Sequence, residues 1–161
     1  EGGTGDDALS GGRENASLDG GAGNDTLDGG SDADVLLGGA GADELKGGSG
    51  DDALQGGDGD DKLRGDKGDD ILEGNLGADN LNGGYGNDAL SGGEGKAYLN
   101  GGSGDDVLDG GAGNDRVYLG SGDDIASGGA GDDRFVFRSQ DMDGGQDLIT
   151  DFRNDSSESD S

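Results

Sequence analysis

Gly101–Asp109 reads GGSGDDVLD and Gly20–Asp28 reads GGAGNDTLD. The same frame, G-G-x-G-x-D-x-L-x, runs unbroken from Gly2 to Val136, so fifteen nine-residue units fill 135 of the 161 residues. A fixed short period marks a solenoid, one small supersecondary unit stacked on itself.

Each position of the unit carries its own chemistry. Position 8 is Leu in twelve consecutive units, from Leu9 to Leu108, and then Val117, Ala126 and Phe135. One apolar residue between two outward ones suits a strand of about three residues, because side chains alternate across a strand. The six residues before it hold two or three Gly and no Pro. Such a segment suits a tight turn with positive φ and closely approaching carbonyls. Two units then make an eighteen-residue coil with a strand on each side, and coils stack at roughly 4.8 Å, giving a flattened roll about 35 Å long. Its core is a thin double file of Leu. With 27% hydrophobic residues, three Phe and no Trp, the chain lacks the side chains of an ordinary globular core.

Charge names what else holds the roll. Thirty-eight Asp and Glu against ten Lys and Arg give a formal charge of −28, which for a bare polypeptide means self-repulsion and disorder. The acids are nonetheless ordered, since thirteen of fifteen units have Asp at position 6. Like charges stacked at one strand spacing need a counter-ion. Carboxylates and Gly-rich carbonyls form an all-oxygen ligand set, which selects Ca²⁺ over transition metals. Without His or Cys, zinc, haem and iron–sulfur sites lack their usual ligands.

On these units the chain resembles the RTX family of hemolysin-type calcium-binding nonapeptide repeats, found in C-terminal modules of type I secreted bacterial exoproteins; the resemblance spans residues 2 to about 152. It implies an all-β, right-handed parallel β-roll with Ca²⁺ between turns of units n and n+2. The earlier turn would give the carbonyls of positions 2 and 4 and the Asp of position 6. The later would give the carbonyls of positions 1 and 3 and its own Asp. Carried over residue by residue on the odd units, Gly3, Gly5 and Asp7 face Gly20, Ala22 and Asp25, while Gly21, Gly23 and Asp25 face Gly38, Ala40 and Asp43. Gly39, Gly41 and Asp43 then meet Gly56, Asp58 and Asp61, and Gly57, Gly59 and Asp61 meet Gly74, Leu76 and Asp79. The last odd set joins Gly111, Gly113 and Asp115 to Gly128, Ala130 and Asp133.

On the even units, Gly30, Asp32 and Asp34 face Gly47, Ser49 and Asp52, and Gly48, Gly50 and Asp52 face Gly65, Lys67 and Asp70. Asp66, Gly68 and Asp70 meet Gly83, Tyr85 and Asp88; Gly84, Gly86 and Asp88 meet Gly101, Ser103 and Asp106. Finally Gly102, Gly104 and Asp106 join Leu119, Ser121 and Asp124. Ten pairings keep both Asp residues, so the expectation is about ten Ca²⁺, which would bring the charge from −28 to about −8. Units 2 and 11 carry Ala16 and Ala97 instead of Asp, breaking three pairings; Arg13 and Lys96 in those units either partly substitute for the missing ion or mark simple repeat decay. Asp32 and Asp66 stand where Gly is the rule and must adopt its backbone conformation. Position-5 acids such as Asp51, Asp60 and Asp105 read as solvated turn residues.

The outward faces differ. Position 7 of even units runs Ser17, Val35, Ala53, Ile71, Ala89, Val107, Ile125 with no Lys or Arg at either outward position. Odd units show Glu44, Lys46, Lys62, Arg64, Tyr98, Arg116, Tyr118 and Arg134. The first face could dock another domain or copy and the second could meet an anionic polymer, although β-branched residues also simply favour strands.

Residues 1–136 therefore read as the roll. Residues 137–152, with Phe137 and Asp147-Leu-Ile-Thr-Asp-Phe152, read as a cap sealing the open end, and 153–161 as a polar, disordered tail. The resemblance implies a non-enzymatic calcium module, unfolded at low cytosolic Ca²⁺ and folding outside the bacterial cell in support of a larger secreted protein. Its partners would be calcium ions, other domains of that protein and the type I secretion apparatus, without membrane insertion. An adhesive or ice-binding solenoid, or an accessory substrate-binding module of a secreted enzyme, is the alternative. The strong negative charge opposes nucleic-acid binding.

Overall fold

The computed structural model describes residues 1–137 and 145–151, and every strand in it pairs in parallel. Two sheets of nine and eight strands face each other, odd strands in one and even strands in the other. Register is set by the repeat: Leu36 pairs with Leu54, Leu45 with Leu63 and Leu90 with Leu108, each eighteen residues on. A one-residue slip would turn the Leu column outward and the charged columns inward, so the pattern admits a single register. No helix occurs among the described residues.

The strands are longer than the unit alone suggests. Most, such as Val35–Ala40 and Lys62–Lys67, have six residues, covering positions 7 to 9 of one unit and 1 to 3 of the next. Three residues, positions 4 to 6, are left for each turn. The sequence reading of three-residue strands falls short because pairing continues through the Gly-Gly step. The second glycine takes positive φ, 112° at Gly39, and bends the strand while leaving its ladder partner, Gly57, in place.

Between the sheets lie the Leu files, Leu27 to Leu108, every one buried, with Leu9, Leu18 and Phe135 partly buried at the ends. Unit 14 inverts the usual sizes. Leu119 replaces Gly at position 1 and Ala126 replaces Leu at position 8, and both lie in the core, so volume added at one position is removed at another.

At the C-terminal end, Leu148 and Ile149 pair with Ile125 and Ala126 and add the last strand to the nine-stranded sheet. Asp151 then closes the exposed edge. Its carboxylate accepts from the Gly128 N–H (2.9 Å), the Gly129 N–H (2.6 Å) and the Ser127 hydroxyl (3.1 Å). These bonds, the Gly128 N–H first, hold its carboxyl below the usual carboxylate range. Of the expected cap, residues 138–144 and Phe152 lie outside the described residues, as does the expected tail at 153–161.

Candidate calcium ladders

The turns place two kinds of carboxylate side by side, and hydrogen bonds tell them apart. At position 6 the backbone N–H of each unit donates to Oδ1 of the residue eighteen positions later: Asp25 to Asp43 (2.7 Å), Asp52 to Asp70 (2.8 Å), Asp106 to Asp124 (2.8 Å). At position 5 the direction reverses. Asp69 N–H donates back to Asp51 Oδ1 (2.9 Å), Ala78 to Asp60 (2.9 Å) and Asp123 to Asp105 (2.9 Å). Position 5 is exposed in the turns, as its reading as solvated turn residues has it, and it also joins adjacent coils. Asn serves as well there, since Asn24, Asn87 and Asn114 accept the same bond. That interchange was the visible signal, because a site that only accepts at Oδ1 does not distinguish Asp from Asn.

Position 6 does distinguish them. Asp25 through Asp124 are at most 2% exposed. In Asp7, and in each position-6 Asp from Asp25 to Asp115, the second oxygen, Oδ2, is buried without a hydrogen-bond partner. A buried, unpartnered carboxylate oxygen is costly, and it raises proton affinity. Burial, reinforced by the neighbouring carboxylates, pushes Asp52 and Asp61 up to about 6, Asp70 to about 7 and Asp106 to about 8. A divalent cation relieves both desolvation and repulsion.

Backbone oxygens surround these carboxylates. A Cβ on Gly38 would lie 2.5 Å from Asp43 Oδ2 and 2.6 Å from the Gly56 carbonyl oxygen, so these two oxygens converge on one point. A Cβ on Gly39 or Gly41 would collide with the Gly21 or Gly23 carbonyl oxygen, which therefore point at the following coil. Non-glycine residues preserve this geometry. Asp32 (φ 67°) and Asp66 (φ 76°) adopt the left-handed backbone, and their carbonyls abut Gly50 and Gly84 as glycine carbonyls do elsewhere. The Leu119 carbonyl likewise abuts Gly101. Position-3 carbonyls are partly engaged, since Ala40 accepts from Gly23 N–H (2.8 Å) and Lys67 from Gly50 N–H (2.9 Å), which leaves each one lone pair.

Among the described residues no three His, Cys, Asp or Glu side chains gather around one point. The set is instead two carboxylates and several carbonyls, hard oxygens in the flexible arrangement that Ca²⁺ accepts. Orphaned Oδ2 atoms and converging carbonyls fit that ion.

The even series of position-6 bonds runs from Asp34 to Asp124 and continues onto Asp147 Oδ1, which accepts the Asp124 N–H at 3.3 Å. Periodicity missed Asp147, because it stands twenty-three residues after Asp124. The odd series stops at Ala97, which still donates its own N–H to Asp115 Oδ1 (2.8 Å) but offers Asp79 no acceptor. Arg13 and Lys96 are exposed and make no ion pair among the described residues.

Fold and site together define a calcium-binding parallel β-roll, a structural calcium fold. The RTX calcium-binding nonapeptide repeat model, four copies long, matches residues 1–36, 37–72, 64–99, 91–126 and 100–135. The chain therefore belongs to the RTX calcium-binding nonapeptide repeat family. No curated protein matches it.

Proposed function

We propose that the chain is a calcium-driven folding module of a larger secreted bacterial protein. At low cytosolic Ca²⁺ the Asp columns repel and the chain is an extended polyanion, suited to passage through a type I secretion channel. Outside the cell, Ca²⁺ binds only the stacked turns and stabilises them by mass action. About ten ions bind, each held by positions 2, 4 and 6 of one unit and positions 1, 3 and 6 of the unit two further on. Each inner aspartate serves two sites, so occupancy is cooperative along each edge.

The observation carrying this reading is the file of buried, unpartnered Oδ2 atoms from Asp25 to Asp115. Without ions the folded roll must bury repelling carboxylates. With ions the same oxygens become ligands.

The deciding experiment is circular dichroism during a calcium titration, with EGTA reversal and a magnesium control, coupled to calorimetric ion counting. A sigmoidal gain of β signal with Ca²⁺, none with equal Mg²⁺, and about ten bound ions is expected. A fold that persists in EGTA at neutral pH would overturn the proposal.

A further inference from the structure

The roll has one face unlike the rest of this acidic molecule. The nine-stranded sheet presents no Lys or Arg at its outward strand positions, whereas the eight-stranded sheet carries Lys46, Lys62, Arg64, Arg116 and Arg134. Two adjoining concavities of about 230 and 350 Å³ meet on that sheet, sharing Lys46 and Arg64. The first also takes in Glu44, Lys62, Asn80 and Asn82, its cations outnumbering the one carboxylate; the second takes in Lys67 and Tyr85, an exposed aromatic at 68%. Asp66 ion-pairs with Arg64 and lies 3.8 Å from the Lys46 ammonium. Both cations are thereby held in place from a left-handed backbone position.

We infer that this face binds a linear, sparsely carboxylated polysaccharide lying along the roll axis. The cations form two groups, Lys46, Lys62 and Arg64 in one and Arg116 and Arg134 in the other, with Lys62 and Arg116 three strand spacings apart, roughly 14 Å. The rows between are neutral, with Asn80, Asn82, Tyr98 and Asn100, and the Asn100 amide already donates to Asn82 Oδ1 at 2.5 Å. Two cation groups flanking rows of amides and a phenol match a polymer of occasional carboxylates and many hydroxyls. Duplex DNA, with a charge about every 1.7 Å, would meet too few cations for its charge density. Asp61, Asp115 and Asp133 directly precede Lys62, Arg116 and Arg134, so the face is positive only when Ca²⁺ compensates the ladders, and binding requires the calcium-loaded roll.

The inference presupposes the calcium-loaded roll, and its test keeps the two apart. With saturating Ca²⁺, the chain is titrated calorimetrically with a hyaluronan octasaccharide, which carries one carboxylate per disaccharide. Binding that weakens with added salt is expected. The variant K62S/R64S should lower affinity at least tenfold with the calcium-induced β spectrum intact, and I71S/V107S on the opposite sheet should leave affinity unchanged. A neutral cello-oligosaccharide should bind at least tenfold more weakly. If the double variant fails to fold, K62E alone carries the test, with the same tenfold loss expected. No binding by a folded, calcium-loaded chain, affinity unchanged by K62S/R64S or K62E, or equal affinity for a single-stranded oligonucleotide would overturn the inference. Failure of the wild-type chain to fold with calcium would instead refute the reading of calcium-driven folding.

Discussion

Two neighbouring positions in each turn carry the same carboxyl group and do different work. Position 5 needs one acceptor oxygen and tolerates Asn; position 6 needs both oxygens, one for the preceding coil's N–H and one for an ion. Asp61→Asn keeps the acceptor for Asp43 but removes a carboxylate from the two consecutive sites proposed for it. It should raise the calcium midpoint about tenfold, equivalent to ~1.4 kcal/mol, in a titration followed by circular dichroism. Asp51→Asn, one position before Asp52, should leave the midpoint unchanged. The distinction was half legible in the sequence. Position 6 was strict and position 5 mixed, but the reversed direction of the hydrogen bonds appears only when coils are stacked. Asp66 follows the same logic, since its departure from Gly was plain in the sequence while its ion pairs with Lys46 and Arg64 require the neighbouring strand.

At the scale of the element, each edge of the roll is a chain of sites as long as its aspartates are unbroken. On the proposed pairings, Ala97 would split the odd edge into a four-site run and a single site beyond it. Gly92 and the Gly110 carbonyl lie beside Ala97 as the equivalent groups lie beside aspartate in other units. Ala97→Asp should therefore add two bound ions by calorimetric counting and steepen the folding transition, because it restores both pairings that use unit 11. The C-terminal strand ends this chain of couplings. Asp151 supplies acceptors to the Gly128 and Gly129 N–H groups, so Asp151→Ala should destabilise the calcium-loaded roll by about 1–3 kcal/mol, read as a lower melting temperature. That strand was foreseen as an apolar plug. Its polar part was not, because twenty-three residues separate Asp147 from Asp124 and periodicity no longer indicated the alignment.

For the whole molecule, the balance between proton and calcium follows from the raised carboxyls. Asp70 and Asp106 titrate at about 7 and about 8 in the ion-free roll, against about 3.9 in an unfolded chain. The roll then binds more protons than the unfolded state between about pH 4 and 8, so stability without calcium falls as pH rises through that window. In EGTA, β content should be highest near pH 4 and lost by pH 8, and the calcium midpoint should fall as pH rises because ligands must be deprotonated. Constant ellipticity across that range in EGTA would contradict this linkage. The sequence by itself determined the roll, its register and its two aspartate columns, because a nine-residue period leaves one way to bury Leu while stacking identical turns. Only the tertiary structure decided which oxygen of each aspartate is committed to the backbone and which remains for an ion. It also decided that pairing runs through the Gly-Gly step, and that Asp147 and Asp151 complete the stack. Those outcomes depend on groups eighteen or more residues apart meeting across one strand spacing, a distance that periodicity implies but whose directions it does not fix.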